Sequence, residues 1–491
     1  MSCLLGVDFG GGASKATLLR TDGTVAATHT VEYPTAYPRP GWAEQNPEDW
    51  YAATCENIKA VLEKSGAGRT DIEMVALDAA THTAVLLDEQ FQVLRPAIYW
   101  TDTRCSREAE RLRKEQGERI RRLTLHSPDT IWTLPQLQWV REHEPALWGR
   151  IRHVLFAKDY VRHRLTGGCE TDGIEAQGSM LLDVRQQVWS EELCALLELP
   201  VDWLPPLQRP AAIVGTVTAQ AARDTGLPAG TPVCCGATDT VMEVFASGAV
   251  RPGQMTVKLA TAGRICVVTD RPVPHRDLVN YSHVAPGLWY PGTATKSAAA
   301  SYRWYRDTFG DSYPALDAGA AGVPAGCDGL LFHPYLNGEL TPYADPMLRG
   351  SFTGIRAGHT KAHFSRAVLE GVAFSLLECR QVLEGLDISH EEEATVIGGG
   401  ASSPLWRQIV ADMLGMPLRQ MENSDSSFGS AMLAGVAAGV FEDVPSAAAR
   451  CCRVVSITKP EPENTKRYAE IYPLYRQIHD ALAPVYKRMG G

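Results

Sequence analysis

No Cys-x-x-Cys pair occurs in the 491 residues, although the chain carries 12 cysteines. The usual zinc-finger and thioredoxin spacings are therefore excluded, and the cysteines read as reduced, mostly core residues of a cytoplasmic protein. There is no basic excess either: 47 Lys and Arg stand against 57 Asp and Glu, a net charge of -10. A nucleic-acid footprint or a polybasic membrane-surface patch shows the opposite balance, so neither nucleic acid nor membrane is expected as a partner. No apolar run reaches the ~18 residues of a membrane span. The longest uncharged small-residue stretch, 426–441, is shorter and punctuated by Gly and Ser. No basic segment followed by an apolar one opens the chain, so no secretory signal is expected. Low-complexity tracts and long linkers are missing as well. What remains is an ordinary globular composition, 45% hydrophobic and 21% charged. The length suits two large domains or three ordinary ones.

The apolar run 4–9 stops at Gly10-Gly11-Gly12, a second run 16–19 ends at Thr21-Asp22-Gly23, and a third spans 25–31. Such runs, broken by glycine turns, predict consecutive β-hairpins. Pro47 opens a helical pattern to residue 62, and 74–77 and 84–87 predict strands. The middle, 104–199, is more helical, with helices at 107–122 and 134–141, and a strand follows at 233–236. At residue 255 the opening pattern recurs: strand 255–259, small-residue turn 260–263, strand 265–269. Helices are expected at 294–309, 363–386, 429–440 and 463–487. A strand at 395–397 runs into Gly398-Gly399-Gly400, and a helix capped near Ser403 runs to 413. Read as an internal duplication, the recurrence divides the chain into 1–248 and 249–491, near the breaks at Gly248 and Pro252-Gly253. Coincidence is the alternative, because strand–turn–strand units are common.

Three small-residue turns follow strands: 10–12, 260–263 and 398–400. Turns without Cβ atoms let backbone N–H groups approach phosphate oxygens. None is a P-loop, since G-x-x-x-x-G-K-[ST] is absent, and none is a dinucleotide G-x-G-x-x-G. Each alone reads as a tight turn; together they favour a nucleotide held between two halves. Asp8, beside the first turn, suits either a hydrated Mg²⁺ or a turn-capping role. Lys15 either neutralises phosphate charge or is a solvated strand residue. Asp239, in Cys235-Gly236-Ala237-Thr238-Asp239-Thr240, falls at a helix start, as an N-cap or as a general base toward a hydroxyl. His82, in Ala79-Ala80-Thr81-His82-Thr83, and Asp102, in Tyr99-Trp100-Thr101-Asp102-Thr103-Arg104, suit a polyol pocket or loop positions satisfied by backbone.

Taken in order, these segments resemble the FGGY carbohydrate kinases, and within them the xylulokinase branch, over nearly the whole chain. Gly6-Val7-Asp8-Phe9-Gly10 with Lys15 looks like that family's phosphate hairpin. Pro40-Gly41-Trp42-Ala43-Glu44-Gln45 and Trp100-Thr101-Asp102-Thr103-Arg104 resemble further family segments. Gly350-Ser351-Phe352-Thr353-Gly354-Ile355, followed by His363-Phe364 and Ala367-Val368-Leu369-Glu370, is similar to its second signature. Gly398-Gly399-Gly400-Ala401-Ser402-Ser403 resembles its adenosine-side motif.

The resemblance implies an α/β fold of two actin-like, ribonuclease H-like domains with a cleft between them. It implies transfer of the ATP γ-phosphate to a ketose hydroxyl, D-xylulose first, with Mg²⁺. On it, Asp239 is the catalytic base and Asp8 the metal-side carboxylate. His82, Asp102 and Thr240 lie at the sugar. Gly10, Gly11, Gly12, Lys15, Thr261, Gly263, Gly399, Gly400 and Ser403 lie at the nucleotide. Sugar or polyol and ATP are the expected partners, and a homodimer is left open as the assembly. Departures fall at Gly11 and Gly12, where Thr or Ser is usual, and at Ala80, Thr81 and Thr240 near the substrate; Gln136 replaces a usual Lys. A hydroxyl restored by Gly11→Thr is expected to improve ATP use if the backbone φ is negative. The alternatives are a kinase of ribulose, a tetritol or another polyol, an actin- or chaperone-like ATPase, and a non-catalytic sensor of sugar or nucleotide.

Overall fold

The computed structural model describes residues 2–489. The opening runs form β1 (Cys3–Phe9), β2 (Ala13–Arg20) and β3 (Val25–Glu32), an antiparallel meander. β1 is almost wholly buried, as a strand covered on both faces must be, whereas β3 has no fully buried residue and its second half alternates partly buried with exposed residues. α1 (Pro47–Ser65) starts where Asn46 accepts from the Glu48 amide and Pro47 takes the first helical position; it stops at Gly66, with φ 65°. β4 (Ile72–Ala79) then pairs parallel to β1. With β5 (Ile213–Thr216), β6 (Pro232–Cys234) and β7 (Ala237–Thr238), the sheet runs β5-β6-β4-β1-β2-β3, and β7 also lies against β4. α2 (Asp239–Ala246) leaves directly from β7.

The second sheet comes from β8 (Met255–Leu259), β9 (Gly263–Val267), β10 (Gly292–Thr295), β11 (Ala394–Ile397), β12 (Leu418–Met421) and β13 (Val454–Thr458), ordered β10-β9-β8-β11-β12-β13. From the β3 edge the first sheet pairs antiparallel, antiparallel, parallel, parallel, antiparallel. From β10 the second repeats that order. The expected duplication is thus present as topology.

Its helices are α3 (Ala299–Phe309), α4 (Lys361–Gly385), α5 (Pro404–Leu414) and α7 (Pro462–Met489). The helix expected over 294–309 begins later, because Thr293 to Thr295 bond to β9 as a strand. α6 (Ser426–Ala437) starts three residues before the expected 429, where Asp425 accepts from the Phe428 amide at 3.2 Å.

Two compact units result. The first holds the chain up to Val250 with Asn280–Trp289 and Asn423–Cys452; the second holds Arg251–Val279, Tyr290–Glu422 and the chain from Arg453. A single cut at 248 therefore leaves out two later segments of the first unit. The physical reason is α6, which lies on β1: a Cβ on Gly6 would meet the Ser427 carbonyl oxygen at 2.0 Å. Each unit has its own core, Leu5, Val7, Leu18, Trp50, Val75 and Leu77 in the first, Val257, Ile265, Val372, Phe374, Val396 and Trp406 in the second. Ten of the 12 cysteines are buried. Among the described residues no helix is long and apolar enough to cross a membrane.

Candidate active site

β1, β4 and β7 run parallel, so their carboxyl ends open on one side of the first sheet. That is where chains leave an α/β sheet and where ligands are bound. Turn 10–12 leaves β1, Thr81 and His82 follow β4, and Asp239 follows β7. Register does the rest: Asp8 stands opposite Asp78, and Asp78 opposite Ala237. Residues far apart in sequence are thereby set side by side.

Asp239 is the first residue of α2, not its cap; Thr238 holds the cap position without a side-chain bond. The Asp239 Oδ1 atom accepts from the Thr240 amide at 2.6 Å, the Thr240 hydroxyl at 3.1 Å and the Thr81 hydroxyl at 3.0 Å. One oxygen is thus clamped, and Oδ2 accepts from no group among the described residues. The residue is half-buried. A carboxylate held by one oxygen and open at the other is arranged to accept a proton.

His82 sits in the left-handed region with φ 54°, held from both sides. Its amide donates to Glu175 Oε1, and its carbonyl accepts from the Thr133 hydroxyl at 2.6 Å. The ring packs 4.9 Å from Trp132, which stacks on His126 at 4.4 Å. Burial, and secondarily His126, pushes the His82 imidazole down to about 3. The ring is therefore neutral at pH 7, one nitrogen a donor and the other an acceptor.

At turn 10–12 the carbonyls are tied back: Gly10 accepts from the Tyr33 hydroxyl at 2.6 Å, Gly11 from the Thr35 hydroxyl at 2.7 Å and Gln45 Nε2 at 3.0 Å, Gly12 from the Tyr33 amide at 3.1 Å. The Gly10 amide bonds to the Ala13 carbonyl at 2.9 Å. The Gly11 and Gly12 amides have no acceptor among the described residues, which leaves two donors for an anion. Lys15, opposite Asp8 across the β-ladder, pairs with Asp425 at 2.9 Å. Burial pushes Asp8 up to about 7, against the bond from Asp78, with Asp239 adding repulsion. Asp78 is raised as well, by burial and by Asp8. Its Oδ2 accepts from Ser430 at 2.5 Å, while Oδ1 of both carboxyls is buried without a donor. Such a pair calls for a shared proton or a cation.

Asp102 corrects one expectation. It is fully buried, and its oxygens accept from the Ala43 amide at 2.6 Å, the Arg104 amide at 2.8 Å, and Arg104 Nε and Nη2 at 2.7–3.0 Å. No lone pair is left for a sugar hydroxyl; the carboxylate fastens the loop before Arg104. Another correction concerns Gly11. Its φ is not left-handed, yet a Cβ there would meet the Tyr99 hydroxyl at 2.7 Å, so Gly11→Thr does not fit as the chain stands. Gly12 has open space.

In the second unit β8 and β11 are parallel, with Lys258 opposite Ile397, so the turn with Thr261 that leads into Gly263, the first residue of β9, lies together with the turn of Gly399 and Gly400. A Cβ on Gly398, whose φ is 89°, would meet the Leu259 carbonyl oxygen at 2.7 Å, so the turns touch only because glycine is there. Thr261 is exposed, and its carbonyl accepts from the Ala298 amide at 3.0 Å ahead of α3. Gly399 is open, whereas Ser403 is the cap of α5 and also donates to Asp317 at 2.6 Å.

Sequence reasoning missed Asp78, Thr81 as a partner of Asp239, Trp132 and Glu175. Asp78 had a signal: a lone carboxylate at the end of a buried apolar strand. Glu175 and Trp132 had none, because only tertiary packing brings them to His82.

The comparisons agree along the whole chain. The model of the N-terminal domain of the FGGY family of carbohydrate kinases matches residues 3–246, and that of the C-terminal domain matches 258–438. A xylulose kinase of Bacillus subtilis (strain 168) is 33% identical over 486 residues, covering 98% of this chain and 97% of that one. One of Escherichia coli (strain K12) is 32% identical over 493 residues, covering 98% and 99%. The crystal structure of xylulose kinase from Rhodospirillum rubrum superposes with a TM-score of 0.89 at 30% identity, covering 99% of this chain and all of that one. The fold is the two-domain actin-like one that the duplicated sheets describe. With both halves matched and a third of its residues shared end to end, the chain belongs to the FGGY family of carbohydrate kinases, phosphotransferases that act on an alcohol group.

Proposed function

We propose that this chain is an ATP-dependent kinase of D-xylulose. The carrying observation is Asp239, its Oδ1 clamped by Thr81 and Thr240 and its Oδ2 open, at the same carboxyl ends of the first sheet as Asp8 and turn 10–12. Xylulose comes from the names of relatives that match the chain end to end. The acceptor oxygen attacks the γ-phosphorus in line; its proton passes to Asp239 Oδ2, and ADP leaves. The Gly11 and Gly12 amides hold phosphate oxygens, and Lys15 adds positive charge nearby. Thr240 and the neutral ring of His82, walled by Trp132, orient the acceptor. Asp102 acts as a positioning residue that fastens the loop before Arg104. The turn with Thr261 that leads into Gly263 and the turn of Gly399 and Gly400 take the nucleotide, and Ser403 shapes the last of them.

Asp8 and Asp78 fit Mg²⁺: they are hard oxygen donors with buried, unpartnered Oδ1 atoms. No cluster of three such ligands exists among the described residues, which suits an ion completed by water and phosphate. When bound, Mg²⁺ neutralises charge on the phosphates. The mostly buried cysteines accord with a cytoplasmic site of action. A homodimer is the assembly to test, by light scattering.

The test is ATP turnover with a panel of ketoses and polyols, the product identified by mass. D-xylulose should give a monophosphate, with little ADP released in its absence. Preference for ribulose or a tetritol would move the acceptor. ATP hydrolysis indifferent to every acceptor would favour a nucleotide switch, and binding without turnover a sensor.

A further inference from the structure

We infer that Tyr99 is a further residue of the phosphate site: its hydroxyl occupies the place of a side chain on Gly11 and donates to an anionic phosphoryl oxygen at turn 10–12. The inference rests on that turn being the phosphate cradle.

The phenol oxygen lies 2.7 Å from where a Gly11 Cβ would stand, with Cζ at 3.4 Å and Cε1 at 3.5 Å. Gly11 thus has no side chain because Tyr99 fills the space. The turn cannot drift from the ring, since its Gly11 carbonyl is held by Thr35 and Gln45, and Gln45 is itself held by Trp50 Nε1 at 3.1 Å. Tyr99 is only 6% exposed and packs with Ala43 and Ala80. A phenol that deep ordinarily finds an acceptor. Among the described residues its O–H has none. The Trp100 indole, its hydrogen-bonding neighbour, is a donor only. Burial, with the Asp239 and Asp8 carboxylates adding to it, keeps the phenol protonated and so a donor. A phenol donor without a protein acceptor, set at a fixed turn beside two free amides, matches an oxyanion and not a second donor. Phosphoryl oxygens of ATP are the anions the proposed reaction supplies.

Four variants test this: Tyr99→Phe, Gly11→Thr, Tyr99→Leu, and the pair Tyr99→Leu with Gly11→Thr, each read as kcat/KM for ATP and KM for sugar with a thermal melt. Tyr99→Phe should lose roughly 10- to 150-fold in kcat/KM for ATP, the usual effect of removing a bond to a charged group, with sugar KM unchanged. Gly11→Thr alone should lose activity by collision with the phenol. In the Tyr99→Leu background the same change should raise activity, because the threonine hydroxyl then has both the space and the task. Tyr99→Phe within about twofold of wild type, or a pair no better than Tyr99→Leu alone, overturns the assignment. Should Tyr99→Phe fail to fold, the pair against Tyr99→Leu decides alone. Gly12→Asp, whose side chain has open space, tests the cradle separately: it should raise KM for ATP, and if it does not, the turn and not Tyr99 has been misassigned.

Discussion

Asp239 shows how much one carboxylate depends on which of its oxygens is engaged. Three donors converge on Oδ1, so rotation about the side chain is blocked and Oδ2 keeps one direction. Asp239→Asn keeps the shape and removes the base. We expect kcat to fall by ~10²–10⁴-fold, the usual range for a general base, with ATP affinity nearly unchanged. Rapid-quench kinetics and ADP calorimetry on the folded variant check both halves; near-normal kcat would end the assignment. Thr81 stands behind this geometry. Thr81→Val should lower kcat by a smaller factor, leaving KM for ATP alone, because it frees the carboxylate without removing it.

At the scale of elements, helix α6 couples stability to chemistry. It approaches β1 and α2 at distances only glycine allows: a Cβ on Gly6 would stand 2.3 Å from the Ala431 amide nitrogen, and one on Gly429 2.2 Å from the Met242 carbonyl oxygen. Both obstacles are backbone, so a helix or strand would have to move. Gly429→Ala should cost about 1–3 kcal/mol, the usual penalty for overpacking. Because Asp239 opens α2, the same shift should lower kcat beyond what the lost stability explains. Denaturant titration and kinetics on the same preparation separate the two. A Gly429→Ala protein with wild-type midpoint and rate would show that the contact is soft.

Over the whole molecule, two buried groups bound the pH range of stability from opposite sides. His82 is held down to about 3 in the fold and returns to its ordinary value near 6.5 when unfolded. The unfolded chain then binds more protons, so stability from this site is lost as pH falls from about 6.5 toward 3. Glu378, in the second unit, is raised to about 8 by burial and by Glu339, against the Tyr343 hydroxyl that bonds to it. Its native state holds the extra proton, so stability falls as pH rises from about 4.5 to 8. His82→Gln should flatten the acid side of a plot of Tm against pH, and Glu378→Gln the alkaline side; unchanged slopes would refute each. The chain passes between the two units at Val250, Val279, Trp289, Glu422 and Cys452. A fragment ending at residue 248 lacks α6 and would bare the apolar face of β1. It should be unfolded or aggregated by circular dichroism and sedimentation. A cooperative, monomeric fragment would contradict that.

What the sequence determined on its own is what neighbours in the chain decide. Gly10-Gly11-Gly12 between two apolar runs makes a hairpin whatever surrounds it. Pro47 behind Asn46 starts a helix, and Asp239 after a buried strand had to lie at a strand-to-helix junction. The recurrence at 255–269 already carried the second sheet's opening. The tertiary structure decided everything that depends on register and packing across the chain. Asp78 became Asp8's partner because β4 pairs parallel to β1 in one register and no other. Asp102 was withdrawn from the sugar because Arg104 and Ala43 use its oxygens, and Gly11 was occupied by a ring from Tyr99. Helix α6 joined the first unit although it follows most of the second. Local periodicity specifies which face of an element is buried, but it is blind to what is buried against that face. That choice is made only when distant segments compete for the same surface and the best-packed arrangement wins.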